Sequence, residues 1–393
     1  MDITPSTEEI AHSQLLASKI KAEIEAHQGS ISFAKYMELA LYAPGLGYYA
    51  AGATKLGKQG DFTTAPEISP LFGATIVQTL LPVLEKLQAK GLPLQILEFG
   101  AGSGALAESI LNSLSDSSIK IDSYNILDLS ADLIDRQRQR LHSRPENIQW
   151  LSELPSHFVG VIIANEVLDA MPVDLITKAG GCWQYQHVCL DNENKEATSF
   201  KLCNGGIVPH HLLPSYISAS DTEQFIDGYT TEIHPNGSAW INSLSQVLQE
   251  GLFLTFDYGF PAHEYYHPQR SQGTIMGHYR HHAIQDPFYF PGLCDLTAHV
   301  EWSTLTKCAV ENGFEFLGYT NQASYLLDAG IGELALSYAD PRDPVRFMPV
   351  SNGLQKLLSE AEMGELFKVL CLGKNLEISE GELPGFRARP RAL

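Results

Sequence analysis

The chain has 393 residues and a formal net charge of -20, from 26 lysines and arginines against 46 aspartates and glutamates. Such a charge repels the phosphate backbone of nucleic acids, so we expect no nucleic-acid partner. At 44% hydrophobic and 18% charged residues, the composition is that of a globular protein without the long apolar run of a membrane helix, and no membrane insertion is expected. The acidic, amphipathic start resembles neither a secretory signal nor an Arg-rich transit peptide, which predicts a cytoplasmic protein.

The first half of the chain predicts a helix, a loop region and then an α/β alternation. Apolar residues at helical spacing over 8–26 predict an opening amphipathic helix. Residues 41–73 are crowded with glycine, proline and aromatic residues, which predicts an ordered functional loop region. The alternation that follows is typical of βαβ units, with predicted strands at 94–100, 123–130 and 159–166 and predicted helices at 104–114 and 131–142.

The second half continues the same fold class with two interruptions. It predicts a helix over 238–251 with Gly251 as its cap, followed by strands at 252–259, 313–320 and 367–375. The whole pattern predicts an α/β protein with an open sheet of about five to seven parallel strands and helices on both faces. Residues 178–207 predict a small β insertion, and residues 261–302 form a second insertion rich in histidine, tyrosine and proline.

A glycine-rich loop follows the first strand of the alternation. Gly100, Gly102 and Gly104 allow a tight turn and let a ligand approach the backbone closely. Their spacing also fits a dinucleotide fingerprint, so spacing alone leaves NAD open. Glu98 favours S-adenosylmethionine, because a carboxylate repels a pyrophosphate and can hold the ammonium of a methionine moiety. Asp128 is predicted to bind the ribose hydroxyls, with a helix N-cap or a solvated strand end as the alternative.

Acidic residues follow the third strand, where open parallel sheets bind ligands. Asn165, Glu166 and Asp169 are the catalytic candidates, since methylation of a protonated acceptor needs a group that positions it and accepts its proton. An arginine acceptor would suit paired carboxylates, which bind a guanidinium through two hydrogen bonds. Asp61 and Asp257 are further candidates. The sequence does not show which of these four acids, Glu166, Asp169, Asp61 or Asp257, acts on the acceptor. For Asp169 and Asp257, capping and turn roles are equal alternatives.

The histidine-rich run at 278–282 and the six cysteines carry no metal prediction. The histidine spacing matches no established ligand pattern, and no cysteine pair has the CxxC spacing. We therefore expect no metal and reduced, packing cysteines.

Six sequence blocks occur in one order between about residue 30 and residue 375: YYAAGATKLGKQGDFTTAPEISPLFG, LEFGAGSGALAESIL, ANEVLDAMPV, DYGF, YRHHAIQDPFYFPGLCDLTAHVEW and ELFKVLCLGKN. Together they resemble the MidA-like methyltransferases, a family that includes mitochondrial arginine methyltransferases of complex I assembly. The resemblance implies a class I Rossmann-like methyltransferase fold that uses S-adenosylmethionine. It also implies that the N-terminal segment and the insertions enclose the cofactor and the acceptor.

The resemblance assigns roles to matching residues. Gly60, Asp61 and Thr63 belong to the enclosing segment and are expected to bind the cofactor, and Asn165 and Glu166 form the acidic strand end. The implied cofactor contacts are Glu98, Gly100, Gly102, Gly104 and Asp128. The implied activity is methylation of an arginine side chain of a protein partner, which in the mitochondrial members is a respiratory-complex subunit. The alternative is an assembly-factor or chaperone-like protein that binds a partner with little or no catalysis.

The predicted organisation has six segments. They are an N-terminal helical and GDF-loop segment (1–75), the first part of the methyltransferase core (76–180), a small insertion (181–235), a continuation of the core (236–262), the His/Tyr/Pro-rich insertion (263–300) and the final core strands with the tail (301–393).

Overall fold

The computed structural model describes residues 4–51, 63–191, 198–219, 224–388, 391 and 393. The candidates Gly60 and Asp61 lie outside the described residues. The chain divides into two compact units, each built from three stretches of sequence. We call them the sheet unit (Thr63–Val167, Trp240–Gly259 and Leu305–Leu393) and the insertion unit (Met1–Phe62, Leu168–Ala239 and Phe260–Thr304). The six-segment division of the sequence stays a prediction.

The helices, in chain order, are α1 (Thr7–Ala26), α2 (Phe33–Tyr42), α3 (Ala65–Ile68), α4 (Leu71–Ala89), α5 (Ala105–Ser115), α6 (Ala131–Leu141), α7 (Ser215–Ala219), α8 (Pro235–Val247), α9 (Ala262–Tyr265), α10 (Trp302–Glu311), α11 (Gln322–Asp328), α12 (Ile331–Tyr338) and α13 (Pro344–Leu358).

The strands are β1 (Ser30–Ser32), β2 (Gln95–Phe99), β3 (Ser123–Leu127), β4 (Ile148–Leu151), β5 (Phe158–Asn165), β6 (Asp174–Ala179), β7 (Cys182–Leu190), β8 (Phe200–Ile207), β9 (Thr230–Ile233), β10 (Leu248–Phe260), β11 (Met276–Tyr279), β12 (His282–Ile284), β13 (Asp295–Thr297), β14 (Val300–Glu301), β15 (Glu315–Asn321) and β16 (Phe367–Lys374).

The sheet unit contains a hydrogen-bonded series of seven strands in the order β15-β16-β10-β5-β2-β3-β4. The strands from β10 to β4 are parallel, and β16 runs antiparallel to both of its neighbours. The central strand β5 has four successive residues, 161–164, that are 0% exposed, as expected for a strand covered on both faces. The predicted α/β class is therefore confirmed, with an antiparallel pair at one end of the sheet.

Gly251 corrects one prediction. Helix α8 ends at Val247, and Gly251 lies inside β10, paired with Gly160 of β5. Its φ is +148°, and a Cβ atom there would lie 1.8 Å from the carbonyl oxygen of Gly160. The predicted helix cap is wrong, because this glycine serves a close approach of two strands.

The insertion unit combines residues far apart in sequence. Strand β1 comes from the N-terminal region and pairs with β7, in a sheet of order β1-β7-β6-β9 with β8 on the other edge of β7. A three-stranded sheet of order β12-β11-β13 is built from the His/Tyr/Pro-rich segment. Residues 178–207, predicted as a β insertion, supply the end of β6 and strands β7 and β8. Across the parts of the chain that the structure describes, no helix is both long and apolar enough to cross a membrane.

Candidate functional site

The register of the sheet brings three predicted site residues to one edge. Phe99, the last residue of β2, pairs in register with Leu127, the last residue of β3, and with Ala164 of β5. The residues that follow the paired positions are Gly100, Asp128 and Asn165. The N–H of Gly100 donates to the carbonyl at the end of β3 at 3.0 Å. A Cβ at Gly100 would lie 3.1 Å from Cγ2 of Val167, so the loop after β5 packs against the glycine loop.

The glycine loop has the backbone shape that its sequence predicts. Gly100, Gly102 and Gly104 have φ values of +60°, +54° and +83°, a left-handed conformation that other residues adopt at a cost. Gly104 is the N-cap of α5 and has no side chain to cap the first N–H groups of the helix. Such uncapped N–H groups favour a polar or anionic ligand group.

Asp128 lies half-buried between two donors. Its Oδ1 accepts the backbone N–H of Ser130 at 2.9 Å, and its Oδ2 accepts Nε2 of Gln137 at 2.8 Å. Burial raises the pKa of Asp128, while these hydrogen bonds oppose the rise. The N-cap of α6 is Ser130, not Asp128. Backbone N–H groups of Leu129 and Gly102 also interact with this carboxylate, so Asp128 lies against the glycine loop as well as at the start of α6.

Glu98 lies inside the sheet below the glycine loop. It is 2% exposed, and its Oε2 accepts the hydroxyl of Tyr124 at 2.6 Å. Burial raises the pKa of Glu98 to about 8, and the hydrogen bond from Tyr124 partly opposes this rise. Without a ligand, Glu98 is therefore largely protonated near pH 7. A nearby cation would favour its ionised form, as the predicted role beside an ammonium group requires.

The buried Glu98 gives the folded protein a pH dependence. Its pKa rises from 4.5 when exposed to about 8 when folded, so the folded state binds more protons between these values. Stability should therefore fall as pH rises from about 4.5 to about 8, by at most about 1.4 kcal/mol per pH unit. Glu98→Gln should flatten this dependence in urea unfolding at a series of pH values. Glu85→Gln, on an exposed position of α4, is the control and should leave the slope unchanged; equal slopes in wild type and Glu98→Gln would contradict the prediction.

Glu166 sits in a strained loop at the end of β5. Its φ is +55°, a left-handed value that is uncommon for a residue with a side chain. Its N–H donates to the carbonyl of Phe256 at 2.9 Å, and the next N–H, of Val167, donates to Oδ2 of Asp257 at 3.2 Å. Asn165 donates its side-chain amide to Oε1 of Glu166 at 3.1 Å. Backbone and neighbour together orient the Glu166 carboxylate.

Asp257 supports this loop from within the sheet. It is 0% exposed, and its second oxygen accepts the N–H of Tyr258 at 2.9 Å. Two backbone N–H groups donate to its carboxylate, one of them in the loop that carries Glu166. This geometry agrees with the turn-holding alternative for Asp257, and its role toward an acceptor stays a prediction.

The other two candidates are placed separately. Asp169 belongs to the insertion unit, whereas Asn165 and Glu166 belong to the sheet unit. Asp169 is 5% exposed, and its backbone carbonyl accepts the N–H of Ala298 at 2.9 Å. Thr63 is exposed, two residues before α3. The assignment of these residues to an acceptor or cofactor site stays a prediction.

A polar cluster ties the segment after the GDF motif to the glycine loop. Arg140 of α6 donates to the carbonyl of Ser103 at 3.4 Å and to Oε1 of Glu67 at 3.3 Å. The hydroxyl of Ser103 donates to the same carboxylate. Glu108 completes the cluster with a contact of 3.3 Å to Arg140. The sequence does not predict this cluster, because a polar residue on an amphipathic helix gives no indication of which distant residue it will contact.

The histidine-rich run lies in the insertion unit. Arg280 in this run binds both carboxylate oxygens of Glu9 in α1, at 2.9 and 3.0 Å, and so ties the β11–β12 hairpin to the first helix. Within the described residues, no group of three or more histidine, cysteine, aspartate or glutamate side chains could hold a metal ion.

Comparison with known proteins identifies the family. The model of a family described as S-adenosyl-L-methionine-dependent methyltransferases matches residues 75–320, more than half of the chain. The chain belongs to this family. It is 41% identical to a Burkholderia thailandensis protein whose crystal structure holds S-adenosyl-homocysteine. The two structures have a TM-score of 0.89, over 99% of this chain and 98% of that one.

Relatives of known name are similar to this chain over most of its length. The zebrafish (Danio rerio) mitochondrial protein arginine methyltransferase NDUFAF7 is 28% identical, over 93% of this chain and 88% of the relative. The human (Homo sapiens) protein of the same name is 26% identical, over 88% of this chain and 80% of the relative. The MidA-like resemblance and S-adenosylmethionine as the cofactor are thereby confirmed. The predicted cytoplasmic location is wrong, because the relatives are named as mitochondrial proteins.

The residues at the sheet edge fit this cofactor. A left-handed glycine loop, the half-buried carboxylate of Asp128 and the buried carboxylate of Glu98 offer backbone, hydroxyl-binding and cation-binding groups. The cofactor, when bound, supplies a methyl group activated on a sulfonium. The individual contacts of these residues with it stay predictions.

Proposed function

We propose that this methyltransferase transfers its methyl group to an arginine side chain of a protein. The relatives named protein arginine methyltransferases cover most of the chain and support this acceptor class. The observation that carries the proposal is Glu166, whose carboxylate is oriented by Asn165 on a left-handed backbone at the cofactor edge.

A carboxylate at this position has two tasks with an arginine. It can accept two hydrogen bonds from a guanidinium and so fix which nitrogen faces the methyl donor. A guanidinium is protonated at any physiological pH, so the methylated nitrogen must lose a proton. Glu166 is the group that we assign to both tasks, because its backbone is held by Phe256 and its side chain by Asn165.

Glu166→Gln tests this assignment. The variant keeps the shape of the side chain but removes the charge and the proton acceptor, so methyl transfer should fall by about a hundredfold or more. The affinity for S-adenosyl-homocysteine should stay within about twofold, because Glu166 is not assigned to the cofactor. The control is Glu153→Gln, at an exposed position of the same unit. Unchanged turnover in Glu166→Gln would remove this residue from the catalytic set.

The acceptor itself is tested by label transfer. Purified protein and S-adenosylmethionine carrying a radioactive methyl group are incubated with respiratory-chain membranes from cells that lack this protein, since we include a respiratory-complex subunit in the proposal. Acid hydrolysis should release labelled methylarginine, and Glu166→Gln should abolish the label. Labelled methyllysine would overturn the proposal of an arginine acceptor. Labelled methylarginine found only in proteins outside the respiratory complexes would overturn the proposal that the substrate is a respiratory-complex subunit.

The alternative of a partner-binding protein with little catalysis makes the opposite prediction. In that case Glu166→Gln would restore respiratory-complex assembly in cells lacking the protein as well as the wild type does. Under our proposal the variant fails to restore it, although it binds the cofactor normally.

A further inference from the structure

Helix α6 has a polar side chain where its spacing calls for an apolar one. Leu133, Gln137 and Leu141 lie four residues apart on the buried face of the helix, and Gln137 is 0% exposed. A buried amide must satisfy two N–H donors and a carbonyl acceptor, or its burial costs free energy. The partners of Gln137 therefore indicate why an amide occupies this position.

Gln137 connects the two loops that are assigned to the cofactor. Its Nε2 donates to the carbonyl of Gly102 at 3.0 Å and to Oδ2 of Asp128 at 2.8 Å. Its Oε1 accepts the indole N–H of Trp150, in β4, at 3.0 Å. One side chain thus holds the turn after β2 and the acid after β3 at a fixed separation.

The direction of this amide is determined by its partners. The indole of Trp150 can only donate, and a backbone carbonyl and a carboxylate can only accept. An amide turned by 180° would place its NH₂ against the indole N–H and its oxygen against the carbonyl of Gly102 and the carboxylate of Asp128. Trp150 therefore selects the orientation in which Gln137 donates to both loops.

We propose that Gln137 is a positioning residue of the cofactor site, acting through Asp128 and held by Trp150. It donates to one carboxylate oxygen of Asp128, while the N–H of Ser130 donates to the other. This pair of donors fixes the plane of the carboxylate, and with it the direction in which its oxygens can meet the ribose hydroxyls. The inference rests on the cofactor role of Asp128, which the experiment tests separately.

The experiment compares two equally buried glutamines. Gln137→Met keeps the length of the side chain and removes its hydrogen bonds. Gln322→Met is the matched control: Gln322 is also 0% exposed, and its amide donates to the carbonyl of Leu357 at 3.0 Å, away from both loops. Calorimetric titration with S-adenosyl-homocysteine should show a dissociation constant raised by about tenfold in Gln137→Met and by less than about twofold in Gln322→Met.

A double-mutant cycle distinguishes positioning from general stability. If Gln137 acts through Asp128, Gln137→Met should add less than about twofold in an Asp128→Ala background. An unchanged dissociation constant in Gln137→Met, or a full additional tenfold loss in the double variant, would overturn the proposal. If Asp128→Ala alone leaves the affinity unchanged, the ribose role of Asp128 fails, and the positioning role of Gln137 fails with it.

A second variant decides the case if Gln137→Met does not fold. Trp150→Phe removes the indole N–H but leaves an aromatic ring, so that only the orientation of the Gln137 amide is released. The dissociation constant for S-adenosyl-homocysteine should rise by about threefold, and this rise should vanish in the Asp128→Ala background. Affinity equal to that of the wild type in Trp150→Phe would count against the proposal.

Discussion

Gly251→Ala should destabilise the protein by about 4 kcal/mol or more, the largest effect on stability that we expect from a single methyl group. The added Cβ would lie 1.8 Å from the carbonyl oxygen of Gly160, at a φ of +148°. The clashing atom belongs to the backbone of a central strand, so no side chain can turn away to make room. The strands β5 and β10 would have to separate, which breaks the pairing that joins β10, β16 and β15 to the other four strands of the sheet.

Urea unfolding followed by circular dichroism measures this effect. The control is Gly313→Ala, because Gly313 has a left-handed φ of +88° but open space around it; its expected cost is about 1 kcal/mol from backbone strain alone. Gly160→Ala should resemble Gly251→Ala, since its Cβ would lie 2.1 Å from the carbonyl oxygen of Gln95. Equal losses for Gly251→Ala and Gly313→Ala would show that the close approach of the strands is unimportant.

The sequence predicted the parts of the fold that local patterns encode. The alternation of apolar strands and amphipathic helices from Gln95 onward gave β2, α5, β3, α6 and β5 close to their observed bounds. The glycine loop is predicted with its tight turn, because glycines between a strand and a helix allow a left-handed backbone. Asp128 and Asn165 could be placed near this loop, because parallel strands end at a common edge.

Long-range pairing could not be predicted in this way. The local pattern places Gly251 at a helix end, because glycine is a common helix cap. Only the position of Gly160 shows that this glycine allows two strands to approach closely. Strand β1 and strand β7 are about 150 residues apart in sequence and form one sheet of the insertion unit. No local pattern in either strand predicts that the other is its partner.

The site shows the same division between local and distant information. Charged and glycine-rich motifs led to Glu98 and Glu166, because their chemistry is visible in the residue type. Gln137 and Trp150 were missed, because their importance lies in contacts with loops that other elements supply. The one available signal was a polar residue on the apolar face of α6, and such a residue predicts a buried partner without identifying it.

Asp128→Ala should raise the dissociation constant for S-adenosyl-homocysteine by about a hundredfold, the largest effect on binding that we expect. A hydrogen bond to a charged acceptor contributes about 1.5 to 3 kcal/mol, and Asp128 is predicted to accept two from the ribose. Calorimetric titration measures the change. Asp132→Ala is the control, because Asp132 is an outward residue of α6 that pairs with Arg136 at 2.8 Å, and its affinity should stay within about twofold of the wild type.

Asp128→Asn should be nearly as damaging as Asp128→Ala, although asparagine has the same shape. Both oxygens of Asp128 face donors, the N–H of Ser130 on one side and the amide of Gln137 on the other. An asparagine must place its NH₂ against one of them, so two donors meet and the side chain turns away from the ribose. Wild-type affinity in Asp128→Asn would show that the charge and the second acceptor are dispensable, and wild-type affinity in Asp128→Ala would remove the residue from the cofactor site.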